Sequence, residues 1–166
     1  SAMRAGAGLV TLASPQGIYP MLASKLTEII HIPLPEDVDG RIHSDSAKIL
    51  KEKLSQYNSL LLGCGLGQSH QIREFLELFL FSNSQSMPPM VIDADGLNNL
   101  VDIPDWWKKL DGPVVLTPHP GEMSRLTRIS ITDLQQSRDQ SARKWARQWA
   151  KTVVLKGAYS VIASPD

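Results

Sequence analysis

The chain has 166 residues, of which 42% are hydrophobic and 20% are charged, and its 17 basic residues balance 17 acidic ones. This length suits one domain over residues 1–166, and the charges are scattered rather than clustered as in nucleic-acid binders. No apolar run approaches the roughly 18 residues of a membrane span, and the N-terminus lacks a signal-peptide pattern. We therefore expect neither nucleic acid nor a membrane as partner, and the lone cysteine, Cys64, makes the cytoplasm the default location.

Short runs rich in Val, Ile and Leu alternate with amphipathic segments along the chain. The predicted strands cover residues 9–13, 28–32, 59–62, 90–93, 113–116, 152–155 and 159–163. Such runs are typical of parallel strands that helices bury on both faces. Only Lys156-Gly157-Ala158 separates the last two runs, which is too short for a crossover and predicts an antiparallel hairpin. The fold class predicted is therefore α/β: a three-layer domain with a mostly parallel sheet, helices on both faces and a C-terminal antiparallel hairpin.

Four apolar stripes predict helices between these strands. They consist of Ile18, Met21, Leu22 and Leu26; Ala47, Leu50 and Leu54; Ile72, Phe75, Leu76 and Phe79; and Leu134, Ala142, Trp145 and Trp149. The last stripe predicts a single helix over 133–151, with Thr132 or Asp133 as its N-cap. We expect all four stripes to pack in the core, and residues 82–89 to form a loop.

The segment Gly63-Cys64-Gly65-Leu66-Gly67 follows the third predicted strand. Ligands of open α/β sheets bind beyond the carboxyl ends of the strands, where glycines let the backbone approach them. A helix beginning near His70 or Gln71 would favour an anion there. The spacing is GxGxG and not the GxGxxG of dinucleotide-binding proteins, so a plain connecting turn is an equal alternative.

Two carboxylates and a carboxamide, Asp93, Asp95 and Asn98, follow the fourth predicted strand. Mg²⁺ prefers a few carboxylates and keeps much of its water, so this group suits a magnesium-associated site. An Asx turn that caps the next helix is an equal alternative for Asp95.

A histidine between two prolines, Pro118-His119-Pro120, follows the fifth predicted strand. The prolines restrict the backbone, as a binding site requires when one side chain must be held in place. We therefore favour a ligand contact for His119 over a purely structural role.

A lysine beside a glycine, Lys156-Gly157, ends the sixth predicted strand. A lysine in this position can place a cation near phosphate, with backbone amides beside it. A surface lysine in a hairpin turn is an equal alternative.

Taken together, five segments carry a resemblance to a known family. They are GAGLVTLAS at 6–14, GCGLG at 63–67, DADGLN at 93–98, LTPHPGEMSRL at 116–126 and VVLKGAYSVIASPD at 153–166. Their order and spacing resemble the ADP/ATP-dependent NAD(P)H-hydrate dehydratase family of ribokinase-like enzymes. The LTPHPGE segment with the lysine-glycine hairpin is the most specific part. Cys64 departs from the family pattern, which usually has proline there, so a softer loop is expected.

The resemblance implies an ADP- or ATP-dependent dehydration that returns hydrated NADH or NADPH to NADH or NADPH, with Mg²⁺. It implies contacts to the hydrated dinucleotide from Gly65, His119, Pro120, Gly121, Glu122, Met123, Ser124 and Arg125. It implies contacts to the adenine nucleotide from Lys156, Gly157, Ala158, Tyr159 and Ser160. It implies that Asp93, Asp95 and Asn98 shape the site or its metal surroundings, without being assigned as direct ligands.

Both chain ends are interpreted as truncations, although short unstructured tails would also explain them. The family's catalytic aspartate motif is then expected beyond Asp166, and no catalytic base is assigned within the chain. Little or no dehydratase activity is expected of these residues alone. The resemblance also allows a homo-oligomer and a fused epimerase domain. A ribokinase-like small-molecule kinase and a noncatalytic nucleotide-binding fragment are the alternatives.

Overall fold

A computed structural model describes residues 2–82 and 87–166. In this part of the chain the strands are β1 Thr11–Pro15, β2 Ile30–Leu34, β3 Leu60–Leu62, β4 Met90–Ile92, β5 Val114–Leu116, β6 Thr152–Leu155 and β7 Val161–Ala163. The α-helices are α1 Tyr19–Lys25, α2 Ser46–Lys53, α3 His70–Phe81, α4 Asp95–Leu100, α5 Trp106–Lys109, α6 Pro120–Thr127, α7 Ile131–Gln136 and α8 Arg138–Trp149. Short 3₁₀ turns cover Met3–Ala5 and Leu54–Gln56. Each predicted strand thus has an observed counterpart, and the predicted loop at 82–89 lies partly outside the described residues.

The strands form two sheets. One contains the parallel pair β1 and β2, and the other has the order β3-β4-β5-β6-β7. Strands β3 to β6 are parallel, and β7 pairs antiparallel with β6. The predicted mostly parallel α/β sheet with a C-terminal hairpin is therefore confirmed. Because β3 to β6 are neighbours in chain order, their carboxyl ends lie side by side along one edge of the sheet.

Helices pack on one face of the larger sheet. Leu62, Ile92, Leu116 and Val153 lie in register across four strands, and all four are buried in the same core as α3 and α8. The opposite face carries Leu61, Val91, Val115, Val154 and Ile162. Its outer members Leu61 and Ile162 are 64% and 73% exposed. The second helical layer that was predicted is thus not seen among the described residues, and this apolar face is partly open to solvent.

Two of the predicted helices differ from expectation. The stripe on α1 is not in the core: Ile18, Met21 and Leu26 are all more than a third exposed. The predicted helix over 133–151 is two helices, α7 and α8. It breaks at Ser137, whose backbone is non-helical with φ −136° and ψ 48°. Periodicity identifies an apolar face, but it reveals neither the partner of that face nor a one-residue break.

The N-cap of α7 is also corrected. Ser130 caps this helix by accepting a hydrogen bond from the Asp133 amide, so neither Thr132 nor Asp133 is the cap. The other two predicted stripes are confirmed in helices α2 and α3. Helix α3 begins at His70 as expected, with Ser69 as its N-cap. Within the described residues, no helix is long and apolar enough to cross a membrane.

Candidate functional site

The predicted site segments meet at the carboxyl edge of the larger sheet. Backbone hydrogen bonds continue the strand pairing past the strand ends: the Asp93 amide donates to the Leu62 carbonyl, and the Thr117 amide donates to the Ile92 carbonyl. The Lys156 amide donates to the carbonyl of Pro118 in the same way. Four segments are therefore neighbours in space: the glycine loop (63–67), the aspartate turn (93–98), the His119 segment (116–126) and the lysine turn (156–160).

An ion pair connects two of these segments. Lys156 Nζ donates to Asp93 Oδ1 at 2.6 Å, and both side chains are partly buried, with 38% and 24% exposed. Burial alone would raise the pKa of the Asp93 carboxyl. Hydrogen bonds from Lys156, from the Ala94 amide and from Thr117, together with the lysine charge, outweigh burial and lower that pKa. Asp93 is therefore held as a carboxylate beside a cation.

The turn after β4 has a strained backbone. The Gly96 amide donates to the Asp93 carbonyl, and Ala94 has φ 50° and ψ −123°. These are the angles of the first central position of a type II′ turn, where glycine is the usual residue. An alanine there costs about 1–3 kcal/mol, which the surrounding contacts must offset.

The three glycines of the glycine loop differ in their roles. At Gly63, which has φ 124°, an added Cβ would lie 1.8 Å from the Asp93 carbonyl oxygen, so this glycine permits close packing of two loops. Gly65 and Gly67 also have positive φ, but an added Cβ at either would meet nothing within 4 Å. The open side of the loop is therefore at Gly65 and Gly67, and only the first glycine is explained by packing.

Asp95 connects the glycine loop to α6. Its carboxylate accepts hydrogen bonds from the Gly67 amide at 3.0 Å, from Gln68 at 3.2 Å and from Asn98 at 3.1 Å. Asn98 in turn accepts from Arg125 Nε at 2.9 Å. Asp95 therefore does not form the Asx cap that the sequence allowed. Burial would raise its pKa, but these hydrogen bonds and the Arg125 charge lower it.

Asn99 also holds the glycine loop, and sequence reasoning missed it. It is 3% exposed, and its Nδ2 donates to the carbonyls of Gly67 and Asp95 at 2.9 and 2.7 Å. Both peptide groups on either side of Gly67 are thus fixed by side chains of α4. The sequence offered one signal, the adjacent pair Asn98-Asn99. In the structure Asn99 is buried and Asn98 is only partly buried.

His119 caps helix α6. Its Nδ1 accepts hydrogen bonds from the amides of Gly121 and Glu122 at 3.0 and 3.3 Å, and Glu122 accepts from the His119 amide at 2.8 Å. This reciprocal arrangement is a capping box. Because Nδ1 is an acceptor here, the proton of the neutral ring is on Nε2, which lies 3.3 Å from Glu122 Oε1. The ring has a structural role and still has half of its surface exposed.

The other predicted dinucleotide contacts differ in exposure. Met123 and Glu122 are 0% and 4% exposed, so neither side chain faces solvent. Ser124 is partly buried and donates to the carbonyl of Ile129, which follows α6. Arg125 is exposed on α6, with its Nε bound to Asn98. Within this segment, the His119 ring edge and the Arg125 guanidinium are therefore the side-chain groups most open to solvent.

In the turn at residues 156–160, residues 157–160 are exposed, yet the backbone of the turn is held by a side chain of α8. Arg138 Nη2 donates to the carbonyls of Leu155, Lys156 and Tyr159 at 3.0, 3.1 and 3.1 Å. Ser160 Oγ donates to the Gly157 carbonyl at 3.2 Å. Arg138 was not predicted, because nothing in the sequence connects the start of α8 to a turn about twenty residues later.

No cluster of three or more His, Cys, Asp or Glu side chains suited to a metal ion occurs in residues 2–82 and 87–166. The carboxylates of Asp93 and Asp95 are already hydrogen-bonded within the protein. A divalent cation at this edge would therefore depend on ligands that a bound phosphate and water supply.

Comparison with known proteins gives one family. The family model described as NAD(P)H-hydrate dehydratase matches residues 1–166. A bifunctional NAD(P)H-hydrate repair enzyme of Moorella thermoacetica is 40% identical over 166 residues, which are 100% of this chain and 31% of that protein. An ADP-dependent (S)-NAD(P)H-hydrate dehydratase of Bacillus subtilis is 30% identical, over 99% of this chain and 53% of its own length.

Solved structures agree on the fold. The Bacillus subtilis ADP/ATP-dependent NAD(P)H-hydrate dehydratase, co-crystallised with ATP and Mg²⁺, matches with a TM-score of 0.74 and 30% identity over 99% of this chain and 53% of that one. A ribokinase-like superfamily protein of Enterococcus faecalis matches with a TM-score of 0.75 over 98% and 52%, at 21% identity, and so supports the fold alone. The chain thus spans between about a third and about half the length of these relatives.

Proposed function

Because the chain belongs to the NAD(P)H-hydrate dehydratase family, we propose that the protein containing it dehydrates hydrated NADH or NADPH with ADP or ATP and Mg²⁺. The observation that carries the proposal is the convergence of the glycine loop, Asp93, His119 and Lys156 at one edge of the sheet. In open α/β sheets this edge is where ligands bind. The activity is a repair reaction, since it returns a damaged cofactor to its usable form.

The chemistry requires help with a leaving group. Hydrated NADH carries a hydroxyl on C6 of the reduced nicotinamide ring, and hydroxide leaves poorly. Transfer of a phosphoryl group to that oxygen turns it into phosphate, which departs as the ring double bond forms and a ring proton is lost. Phosphoryl transfer depends mainly on positioning and on cations that neutralise charge, and the partly buried ammonium of Lys156 suits this task.

We assign the adenine nucleotide to the turn of Lys156, Gly157, Ala158, Tyr159 and Ser160. Residues 157–160 are exposed, and the lysine beside them donates a hydrogen bond to Asp93. Phosphate oxygens would compete with Asp93 for the ammonium of Lys156. The nucleotide and Asp93 would thus share one cation, which orients the phosphates toward the centre of the sheet edge.

We assign the hydrated dinucleotide to the opposite side of the site. Gly65 has open space around its Cα, and Arg125 presents an exposed guanidinium on α6. Hydrogen bonds run from the Gly67 amide through the Asp95 and Asn98 side chains to Arg125, so the glycine loop and the arginine are held in fixed relation. A guanidinium suits the pyrophosphate of a dinucleotide, and a glycine backbone permits close approach of a ring.

Neither aspartate of the site suits the role of catalytic base. Hydrogen bonds hold the pKa of Asp93 and of Asp95 below the ordinary value, whereas a general base works best with a pKa near the operating pH. We therefore propose that both are positioning groups. The catalytic base is assigned to none of the described residues.

Mg²⁺ fits this site as an ion carried by the nucleotide. When bound, it would neutralise the phosphate charge that develops during transfer. Among the described residues, the carboxylates nearest to Lys156 and the glycine loop in the hydrogen-bond network are Asp93 and Asp95, and both already accept hydrogen bonds. Mg²⁺ commonly uses one or two carboxylates and keeps several waters, which agrees with this donor set.

The proposal also covers partners and location. A fused epimerase domain is proposed for the whole protein, because the chain matches only 31% of a relative named as bifunctional. A homo-oligomer is proposed from the family resemblance alone. The cytoplasm is the proposed compartment, because the lone cysteine, Cys64, is free and exposed, as suits a reducing environment.

The test is recovery of NADH absorbance from hydrated NADH by the intact protein with ADP or ATP and Mg²⁺. The expected result is recovery that requires the nucleotide and releases one phosphate for each NADH formed. A ribokinase-like small-molecule kinase would consume ATP with an alcohol substrate and would not restore NADH. No recovery with either nucleotide would reject the proposed function.

A further inference from the structure

We propose that Arg138 is a positioning residue for the nucleotide: it holds the turn at residues 156–160 so that the backbone amides of this turn face a phosphate. The inference rests on the proposed function, because it concerns the turn to which the nucleotide is assigned. Arg138 itself lies behind the turn, at the start of α8, and touches no proposed ligand.

The contacts of Arg138 form a clamp on carbonyl groups. One nitrogen, Nη2, donates to the carbonyls of Leu155, Lys156 and Tyr159, and the other, Nη1, donates to Gln135 Oε1 at 2.6 Å. The guanidinium is planar and its fork is rigid, so its direction is fixed by Gln135 on one side and by the turn on the other. This is more contact with one backbone segment than an ordinary surface arginine makes.

The clamp determines where the amides of the turn point. In a trans peptide the N–H group is directed opposite to the C=O group, and the described chain has no cis peptide bond. The carbonyls of Lys156 and Tyr159 face Arg138, so the amides of Gly157 and Ser160 face away from it. The Gly157 carbonyl accepts from Ser160 Oγ, so the Ala158 amide is directed away from that hydroxyl.

These amides are available to a ligand. Among the residues that the structure describes, the amides of Gly157, Ala158 and Ser160 donate to no protein acceptor, whereas the Lys156 amide is used by Pro118. Several backbone amides that point to one side form an anion-binding concavity. The ammonium of Lys156, which pairs with Asp93, adds a full positive charge next to this turn.

Glycine at position 157 leaves the space that the Arg138 guanidinium occupies. An added Cβ at Gly157 would lie 2.7 Å from Arg138 Nη2 and 3.1 Å from its Cζ. A side chain there would therefore displace the guanidinium from the turn. The Gly157→Ala variant thus disturbs the clamp while every residue of α8 stays unchanged.

The test is calorimetric titration of the intact protein with ADP and Mg²⁺. The variants are Arg138→Gln, Arg138→Lys and Gly157→Ala, with Arg143→Gln as the matched control. Arg143 lies on the same helix, is exposed and pairs only with Asp139 among the described residues. We expect Arg138→Gln and Gly157→Ala to weaken ADP binding by about tenfold, the size of one charge-assisted hydrogen bond. Arg138→Lys should recover part of the loss, and Arg143→Gln should bind as wild type.

Kinetics separates positioning from a general loss of structure. The KM for the nucleotide should rise in Arg138→Gln while the KM for hydrated NADH stays unchanged. Equal rises in both constants, or wild-type ADP affinity in Arg138→Gln, would overturn the inference and leave the proposed function standing. Absence of ADP and ATP binding by the wild type would reject both. If Arg138→Gln fails to fold, Gly157→Ala decides, and unchanged affinity in that variant overturns the inference.

Discussion

Lys156 and Asp93 are 63 residues apart in the chain, and their ion pair at 2.6 Å joins the turn after β6 to the turn after β4. Three neighbouring strands are spanned by this contact, because β5 lies between β4 and β6. The pair is partly buried, so solvent screens it less than a surface ion pair. It is the contact on which the proposed site depends most.

The pair predicts how stability changes with acid. The pKa of Asp93 is lowered in the folded protein from an ordinary value of 3.8, so the folded state favours its ionised form. The resulting stabilisation is fully present above the unfolded-state pKa and is lost as the pH falls below it, through the folded-state pKa. Unfolding free energy measured against pH should therefore fall less steeply below about pH 4 in Asp93→Asn than in wild type.

A second ion pair gives the control for this experiment. Asp105 and Lys108 pair at 3.0 Å, but both side chains are more than half exposed. Exposed pairs contribute little, so Asp105→Asn should reproduce the wild-type acid profile. Parallel profiles for wild type and Asp93→Asn would show that the Lys156 contact does not stabilise the fold.

The histidine cap predicts a structural effect at His119. His119→Ala removes the acceptor for two amides of α6 and should lower the unfolding free energy by about 1 kcal/mol. His119→Ser restores a preferred N-cap and should recover most of this loss in a urea titration. If the ring also contacts the hydrated dinucleotide, His119→Ser will keep the stability but will raise the KM for that substrate. A wild-type KM in His119→Ser would assign His119 to the cap alone.

Asn99 predicts a link between core stability and the glycine loop. Asn99→Ala leaves the carbonyls of Gly67 and Asp95 without their buried donor, and it should cost about 1–3 kcal/mol of unfolding free energy. Asn58→Ala, at an exposed bend, should have no measurable effect. Unfolding of both variants at the same denaturant concentration would show that Asn99 does not stabilise the glycine loop.

The strained turn predicts a stabilising substitution. Ala94→Gly relieves a backbone conformation that glycine adopts readily, so the unfolding free energy should increase by about 1 kcal/mol. Ala23→Gly, in the regular helix α1, should decrease it by about the same amount. Thermal unfolding of both variants gives the comparison, and a lower melting temperature for Ala94→Gly would refute the assignment of strain.

Local sequence patterns predicted the elements well, because strands and helices follow from apolar periodicity. All seven predicted strands overlap observed ones, although β7 begins at Val161 and not at 159. Apolar periodicity did not predict two sheets. It identifies strands, but it does not show that β1 and β2 pair with each other and stay separate from the larger sheet. The exposed apolar stripe on α1 is a second example, because an amphipathic pattern predicts a helix but not which element packs against its apolar face.

The candidate site was predicted in position but not in connectivity. Residues after strand ends were expected to be neighbours, and Asp93, His119 and Lys156 are. The sequence did not reveal that Lys156 pairs with Asp93, or that His119 caps its own helix. Histidine is not among the common N-cap residues, so the capping pattern formed with Glu122 three residues later was overlooked. Arg138 and Asn99 act through contacts that only the folded chain creates.

The most direct test of the central claim is the nucleotide dependence of NADH recovery in Lys156→Ala. The intact protein is assayed with hydrated NADH and Mg²⁺ over a range of ADP or ATP concentrations, beside Lys108→Ala as the control from the exposed ion pair. We predict a raised KM for the nucleotide in Lys156→Ala alone, because that variant loses the cation beside the phosphates. Identical nucleotide dependence in wild type and Lys156→Ala would contradict the assignment of this edge of the sheet as the nucleotide site.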